Sequence, residues 1–475
     1  MQKEKLYASV EAHRALLTEL SDRIWDYAEL SMEERRSAAD YCRVLREQGF
    51  SVTEKLAGIP TAFSGSFGSG RPVIGILGEF DALSGLSQQP GETRRLPRPE
   101  TDCGHGCGHN LLGAASLGAA IAVKEAIEAG ALSGTVVFYG CPGEEGCAGK
   151  TFLARAGLFR DLDAALCWHP SDVNEVTTGV NAATLQYVYT FEGAASHAAE
   201  APEMGRSALD AAELMNTGVQ YLREHMGRNH SVHYAFLDAG GVSPNVVQPT
   251  ASLVYMVRGD TVRSARRLLE RVHNIARGAA LMTGTTVRWK QIDGTASTLS
   301  NTVLERLLQA NLEAAPLPRY TPEERAFAAA LKETYTPAAL PGLRTAEDPK
   351  LRAFLRRKTG DGSRAINDFV IPYAPSSTFY PGATDVGDVS WLTPTAQFHA
   401  ATWTSGAPGH SWQNVSIGKT SIAHKGMLYA ADVLAGAAAE LLENPELLEN
   451  ARREFSEAAA EGYDSPLEES VLPPV

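Results

Sequence analysis

The run Pro72-Val73-Ile74-Gly75-Ile76-Leu77-Gly78, continued by Glu79-Phe80-Asp81-Ala82-Leu83, decides the fold. Apolar and glycine residues without polar alternation describe a strand covered on both faces, as at the centre of a mainly parallel sheet. The acids that follow stand at the carboxyl end of that strand, where open α/β sheets place their sites. The same grammar recurs twice. Thr135-Val136-Val137-Phe138-Tyr139 leads into Gly140-Cys141-Pro142-Gly143-Glu144-Glu145-Gly146 and then a helix to residue 156. Ala164-Ala165-Leu166-Cys167-Trp168 ends in His169-Pro170. Strand, then acid or histidine, then helix predicts an α/β domain with a mixed, mainly parallel sheet between helices.

Outward from that core, residues 6–48 carry apolar positions at helical spacing around Trp25 and Tyr27, predicting two packing helices. Residues 51–53 and 62–67 predict short strands, and the Ala- and Gly-rich run 111–129 predicts a helix able to lie close on a sheet. Near residue 183 the pattern changes. Alternating segments at 185–191, 234–237, 251–258 and 285–289 are interleaved with helical ones at 205–224 and 262–281. That order predicts a small α+β domain with an antiparallel sheet at 183–297, inserted into a catalytic domain made of 1–182 and 298–475. Residues 316–365, rich in proline and charge with one amphipathic helix near 323–333, are expected as a peripheral elaboration. A strand at 396–404, the loop Gly406-Ala407-Pro408-Gly409-His410-Ser411-Trp412 and an Ala-rich helix at 423–442 close the domain. The acidic tail from Asn444 is expected at the periphery.

With 475 residues, 44% of them apolar and 21% charged, the chain has room for about two or three domains with a sizeable core. Asp and Glu number 56 against 43 Lys and Arg, a net charge of -13, which argues against nucleic acid as a partner. Residues 1–21 hold no apolar core of signal-peptide type, and the run 111–123 is too short to span lipid. A soluble cytoplasmic protein without a membrane partner is expected, its six cysteines reduced.

The densest run of metal-binding residue types is Asp102-Cys103-Gly104-His105-Gly106-Cys107-Gly108-His109-Asn110. Cys107 and His109, one glycine apart, can wrap one ion or hand one ligand to each of two adjacent ions. In Glu144-Glu145, neighbouring carboxylates on a loop can face different partners, one binding metal while the other activates water. Glu-Glu pairs are common on solvated surfaces, but a surface pair does not follow an apolar strand through Cys-Pro-Gly. His169 taken alone reads as a satisfied structural histidine; beside Cys107, His109 and Glu145 it reads as a ligand. His410, in a Gly- and Pro-rich loop remote in sequence, is the distant ligand. These five serve two ions if one ligand or a water bridges them, with Glu144 taking the proton of the attacking water. Asp81 could ligate directly, but is expected to orient a histidine ligand by accepting its other ring proton, and Asp385 has the same two options with the same preference. Cys103 and His105 are expected to support the ligands from behind.

Asp81-Ala82-Leu83, Gly106-Cys107-Gly108-His109-Asn110, Gly143-Glu144-Glu145 and His169-Pro170 together resemble the aminoacylase/carboxypeptidase family of dinuclear metallohydrolases, in its amidohydrolase branch. The aminobenzoyl-glutamate-cleaving members are the nearer match, through Gly78-Glu79-Phe80-Asp81-Ala82-Leu83, Gly241-Val242-Ser243-Pro244-Asn245-Val246-Val247-Gln248 and Thr384-Asp385-Val386-Gly387-Asp388. The resemblance implies a zinc-peptidase-like catalytic domain and an inserted domain that serves as lid and dimerises. It implies two divalent ions, zinc or manganese, on Cys107, His109, Glu145, His169 and His410. Cys107 takes the place of a bridging aspartate, and Glu144 that of the general base. His233 is the candidate lid histidine that steadies an oxyanion. Asn245 and Arg258 match residues that hold the substrate's carboxylate, a task suited to a guanidinium fork. His197, in Ala195-Ser196-His197-Ala198-Ala199, matches a lid-side motif near the hinge and substrate.

The implied substrate is an N-acyl or N-aroyl amino acid, aminobenzoyl-glutamate-like or acyl-aspartate-like. A dipeptidase or aminoacylase of the same chemistry is the alternative. A non-catalytic subunit is disfavoured, because neither Glu144 nor any ligand is lost. A homodimer is implied, with a hetero-oligomer containing a homologous subunit as the alternative. Two positions depart from the branch: Asn110, where Asp is more usual, and Gly409-His410-Ser411-Trp412 around the last ligand. Both agree with the aminobenzoyl-glutamate subtype and weigh against carrying over a peptide substrate.

Overall fold

A computed structural model describes residues 3–336, 348–360 and 362–474. Its strands, in chain order, are β1 Ser51–Glu54, β2 Phe63–Ser69, β3 Val73–Gly78, β4 Gly134–Gly140, β5 Ala164–Ser171, β6 Glu175–Val176, β7 Val180–Asn181, β8 Ala183–Glu192, β9 Ser231–Asp238, β10 Thr250–Gly259, β11 Thr286–Thr295, β12 Phe379–Tyr380 and β13 Thr395–Ala401. Seven of them form one sheet in the order β1-β2-β4-β3-β5-β13-β6. Its inner pairs β4/β3, β3/β5 and β5/β13 are parallel, and its flanking pairs are antiparallel.

Side-chain alternation explains the unbroken apolar strands. Val136 and Phe138 face a core shared with helices His109–Glu128 and Ser421–Glu443, while Val137 and Tyr139 face a second core with Phe152, Phe159 and Val389. A strand buried on both sides has no face left for polar residues. Because β4, β3, β5 and β13 run the same way, the segments that follow them emerge at one edge of the sheet. Glu144-Glu145, Glu79 with Asp81, the end of β5 at His169 and the loop to His410 are thereby gathered together.

Helix His109–Glu128 lies against this edge because its small residues let it: a Cβ on Gly113 would stand 2.3 Å from Tyr41 Oη and 2.7 Å from the Glu79 carbonyl oxygen. It is long and apolar enough to cross a membrane, but 89% of its most apolar window is buried inside the fold, as befits a core helix.

The second sheet, β11-β8-β10-β9, is antiparallel throughout, and helices Ala208–Arg223 and Val262–Thr283 cover one face of it. The protein is thus an α/β catalytic domain with an inserted antiparallel sheet of lid type. Edge strand β9 leaves Tyr234, Phe236 and Leu237 exposed.

Two expectations change. The N-terminal region holds three helices, Lys3–Ala12, Arg14–Tyr27 and Arg35–Glu47, where periodicity predicted two. The chain breaks at His13 and again where Ala28 and Met32 take positive φ, features that do not interrupt an apolar period. The acidic tail is not peripheral. Helix Pro445–Ala458 caps its neighbour Thr302–Ala314, with the Glu454 carboxylate accepting from Thr302 N (2.8 Å) and Val303 N (3.1 Å). Beyond it, Tyr463 Oη donates to Asp388 (2.6 Å), Gln291 Nε2 to Pro466 O (2.8 Å) and Tyr187 Oη to Glu468 (2.7 Å), so the tail ties helix Val386–Ser390 to the second sheet. The 316–365 elaboration, of which 337–347 and 361 lie outside the described residues, braces the loop before His410. Tyr335 Oη donates to Thr404 Oγ1 (2.7 Å), and Ala328 and Leu331 pack with Trp403 and Ile417.

Candidate metal centre

Cys107 and His109 sit in a turn that glycines permit. Gly108 has φ +77°, and a Cβ there would stand 2.9 Å from Pro170 Cβ; one on Gly106 would meet Leu86 Cδ1 at 2.5 Å and His410 Cα at 3.4 Å. The backbone thus touches both the end of β5 and the His410 loop. Reciprocal bonds between Leu83 and Gly104 (N to O, 3.1 and 2.9 Å) tie the turn to the segment after Asp81.

The side chains converge. Cys107 Sγ lies 3.3 Å from His169 Nε2, and His410 Nε2 lies 3.4 Å from Glu145 Oε1. His109 Nε2 lies 3.3 Å from Glu79 Oε2 and 4.0 Å from Glu145 Oε1. The far ring nitrogens set the tautomers: His109 Nδ1 donates to Asp81 Oδ1 (2.9 Å) and His169 Nδ1 to Pro170 O (2.7 Å). Each Nε2 thus faces inward, the nitrogen available to a bound ion. The other Asp81 oxygen accepts from Ser31 Oγ (2.8 Å) and Glu145 N (2.9 Å), so one carboxylate orients both His109 and the Glu145 loop.

His109 Nε2, Glu145 Oε1 and Glu79 Oε2 are buried without a hydrogen-bond partner. Orphaned acceptors of this kind are costly unless a cation takes their lone pairs. Three trios bring one ligand atom from each member within 4.8 Å of the others: Cys107, His109 and His169; Cys107, Glu145 and His410; Glu79, His109 and Glu144. Cys107 belongs to two of them, as a ligand shared between adjacent ions does. Thiolate, imidazole and carboxylate donors in such trios fit a pair of divalent ions.

Burial pushes the Cys107 thiol far above its ordinary range, so it ionises only with a cation beside it. Burial, and then His109, pulls His169 down to about 4, which keeps its ring neutral and able to ligate. Burial, then Glu79 and Asp385, raises Glu144 well above the usual carboxyl range, which suits a group that takes up protons.

Asp385 does not orient a histidine. Its Oδ1 lies 2.6 Å from Lys150 Nζ and its Oδ2 accepts from Lys150 N at 2.8 Å, because the short helix Val386–Ser390 packs on Gly149–Arg155. Lys150 Nζ is also 2.6 Å from Glu79 Oε1. From the sequence Glu79 is placed at a strand end but given no role, and Lys150 is not singled out. Their signals are weak: an acid two positions before Asp81 at the same strand end, and one lysine directly before the largely apolar run Thr151-Phe152-Leu153-Ala154. His105 Nε2 bonds to Ile24 O (3.0 Å), Asn110 Nδ2 donates to Ser21 Oγ (3.0 Å) and Gly418 O (3.2 Å), and Cys103 Sγ donates to Asp102. These three hold the turn in place.

The four lid candidates form two pairs on the inserted domain. His233 and Arg258 line one hollow of the sheet face, with Gln186, Tyr234, Val254 and Met256. Arg258 Nη1 donates to Pro381 O (2.9 Å), and among the described residues no carboxylate pairs with it. His197 and Val246 form a β-bridge, and Ala198 N donates to Asn245 O (2.9 Å), joining the other two. None of the four hydrogen-bonds to a metal-ligand candidate among the described residues.

Residues 78–400 match peptidase family M20/M25/M40. Over 476 residues the chain is 42% identical to a p-aminobenzoyl-glutamate hydrolase subunit of Escherichia coli, covering 98% of this chain and 97% of that protein. Over 448 residues it is 28% identical to the Xaa-Arg dipeptidase of Mus musculus, covering 92% and 88%. Among solved structures, the Bacillus subtilis YXEP protein, a dinuclear metal binding peptidase of the M20 family, shares the fold with a TM-score of 0.57 at 17% identity, covering 91% and 99%. With the length of the match, the convergence of ligands at one sheet edge makes this chain a metal-dependent amidohydrolase belonging to peptidase family M20/M25/M40.

Proposed function

We propose that the protein hydrolyses the amide bond of an N-acyl or N-aroyl amino acid whose leaving residue is acidic, as in aminobenzoyl-glutamate-like or acyl-aspartate-like conjugates. One observation carries the reading: Cys107 is common to two ligand trios, and Glu144 lies at the edge of that cluster. Cys107, His109, Glu145, His169 and His410 would hold two divalent cations, zinc or manganese, which when bound would supply Lewis acidity toward a water and the amide carbonyl. Glu144 takes the water's proton on its carboxylate and passes it to the departing amine nitrogen. Asp81 holds His109 in the ligating tautomer. From the lid, His233 donates to the developing oxyanion, Arg258 and Asn245 grip the carboxylate of the leaving amino acid, and His197 borders the substrate. The absence of a carboxylate partner for Arg258 among the described residues supports that role.

The 42% identity to the p-aminobenzoyl-glutamate hydrolase subunit from Escherichia coli supports the substrate class. The likeness to Xaa-Arg dipeptidase favours a second reading, a dipeptidase with the same site. Exposed Tyr234, Phe236 and Leu237 on edge strand β9 support assembly through the lid, as a homodimer or with a homologous subunit. A cytoplasmic setting accords with a buried thiol ligand and five further unpaired cysteines. The test is hydrolysis of p-aminobenzoyl-glutamate, acyl-aspartates and Xaa-Arg dipeptides by zinc- or manganese-loaded protein and by Glu144→Gln. Release of glutamate or aspartate that falls by about 10²–10⁴ in the variant, with metal content intact, is expected. Turnover of dipeptides alone transfers the assignment to the second reading.

A further inference from the structure

The five ligands and Glu144 leave Glu79, Lys150 and Asp385 unused, although all three are buried at the same sheet edge. Glu79 Oε1 is held by Lys150 Nζ at 2.6 Å, and Asp385 anchors Lys150 at both Nζ and backbone N. Glu79 therefore cannot swing freely. Its other oxygen faces His109 Nε2 at 3.3 Å, and neither of these two atoms has a hydrogen-bond partner. Two ligand atoms each about 2.1 Å from one ion stand roughly 3.0–3.4 Å apart. The pairs Cys107–His169 and Glu145–His410, at 3.3 and 3.4 Å, show the same spacing. A mere counter-ion for Lys150 would not need its second oxygen set 3.3 Å from the His109 nitrogen that a bound ion would use.

We propose that Glu79 is a further ligand of the ion served by His109, held in place by Lys150 and Asp385 as positioning residues. This rests on the two-ion reading of the site. His109 belongs both to the trio with Cys107 and His169 and to the trio with Glu79 and Glu144, so Glu79 would join the ion of the first trio through His109 as its fourth protein ligand and close it. The ion on Cys107, Glu145 and His410 has three and keeps an open position on the side where His410 is 55% exposed. Closed four-ligand sites are structural in character, whereas three-ligand sites leave room for water and substrate. The centre is asymmetric: one ion is retained, the other exchanges and meets substrate.

The test is metal retention by the full-length protein. Zinc-loaded wild type, Glu79→Gln, His410→Ala and the double variant Glu79→Gln/Lys150→Met are dialysed against graded chelator and their zinc counted by mass spectrometry. Cobalt-substituted samples report coordination number through their visible absorption. Wild type is expected to lose one ion early and keep the other. His410→Ala should lack only the labile ion. Glu79→Gln should weaken the retained ion by at least about tenfold. Glu79→Gln leaves Lys150 paired with Asp385 and should stay folded, whereas the double variant also strips Asp385 of its cation, so it should lose thermal stability as well as the tight ion. Unchanged retention in Glu79→Gln, or recovery of the tight ion in the double variant, overturns the proposal and leaves the two-ion site standing. A wild type that binds no zinc overturns the two-ion reading itself, and the proposal with it.

Discussion

Lys150 is fully buried, with two carboxylate oxygens 2.6 Å from its ammonium and Glu144 close by. Lys150→Met keeps most of the volume and leaves Glu79 and Asp385 as buried acids with no cation. At an effective dielectric near 20, one unit-charge pair at that distance is worth about 6 kcal/mol before desolvation is subtracted. Removing one member of a buried pair costs about 3–5 kcal/mol in measured cases, the loss expected here, out of a total of about 5–15 kcal/mol. Urea unfolding at pH 7, followed by fluorescence of the buried Trp25 and Trp168, reads it as a lowered midpoint at unchanged slope. Double-mutant cycles with Glu79→Gln and Asp385→Asn should return coupling of about 1–3 kcal/mol for each pair. A midpoint shift worth less than about 1 kcal/mol, with coupling near zero, would refute the picture of a dry, charge-locked sheet edge.

Asp432 on helix Ser421–Glu443 is raised from its ordinary 3.8 to about 8 by burial and then by Glu11. A folded-state pKa above the unfolded one favours the protonated fold, so stability is full below about pH 4 and is lost as pH rises through 8. Asp432→Asn should abolish that slope and stabilise the protein at pH 9 by up to about 5 kcal/mol, measured as urea midpoints at pH 5 and 9. Gln291, buried in β11, donates to Pro466 O and accepts from Glu468 N, both at 2.8 Å. Gln291→Ala should cost about 1–3 kcal/mol and release the tail, seen as faster amide exchange over 463–471; unaltered exchange would show that the tail is held elsewhere. Gly108→Ala meets both a positive φ and Pro170 Cβ at 2.9 Å. It should destabilise by about 1–3 kcal/mol and lower the bound-metal count, whereas normal metal content would mean that the turn gives way without moving Cys107.

Much of the site was legible because its chemistry is local in sequence. An acid or histidine directly after an apolar strand reports its own position at the sheet edge, so Asp81, Glu144, Glu145 and His169 could be placed before any tertiary contact was known. Cys107 and His109 declared themselves through the Gly-x-Gly spacing that lets the backbone approach Pro170 and His410. The two-sheet architecture followed from the switch between continuous and alternating apolar patterns near residue 183. Misreadings arose where the decisive interaction spans hundreds of residues. Asp385 was expected on a histidine and sits on Lys150, 235 positions away. The acidic tail is held because Gln291 and Asp388 offer buried partners, and Arg155 a half-buried one, to its backbone and side chains.

What the amino-acid order alone determined, then, is which strands are buried on both faces and which polar residues terminate them, since periodicity and strand-end chemistry are encoded within a dozen residues. Only the tertiary structure decided which carboxylate is locked by a lysine, which oxygens are left without partners and which thiol two ligand trios share. Those are properties of side chains brought within 4.8 Å from separate strands and helices, and burial there turns small differences in distance into large differences in electrostatic energy.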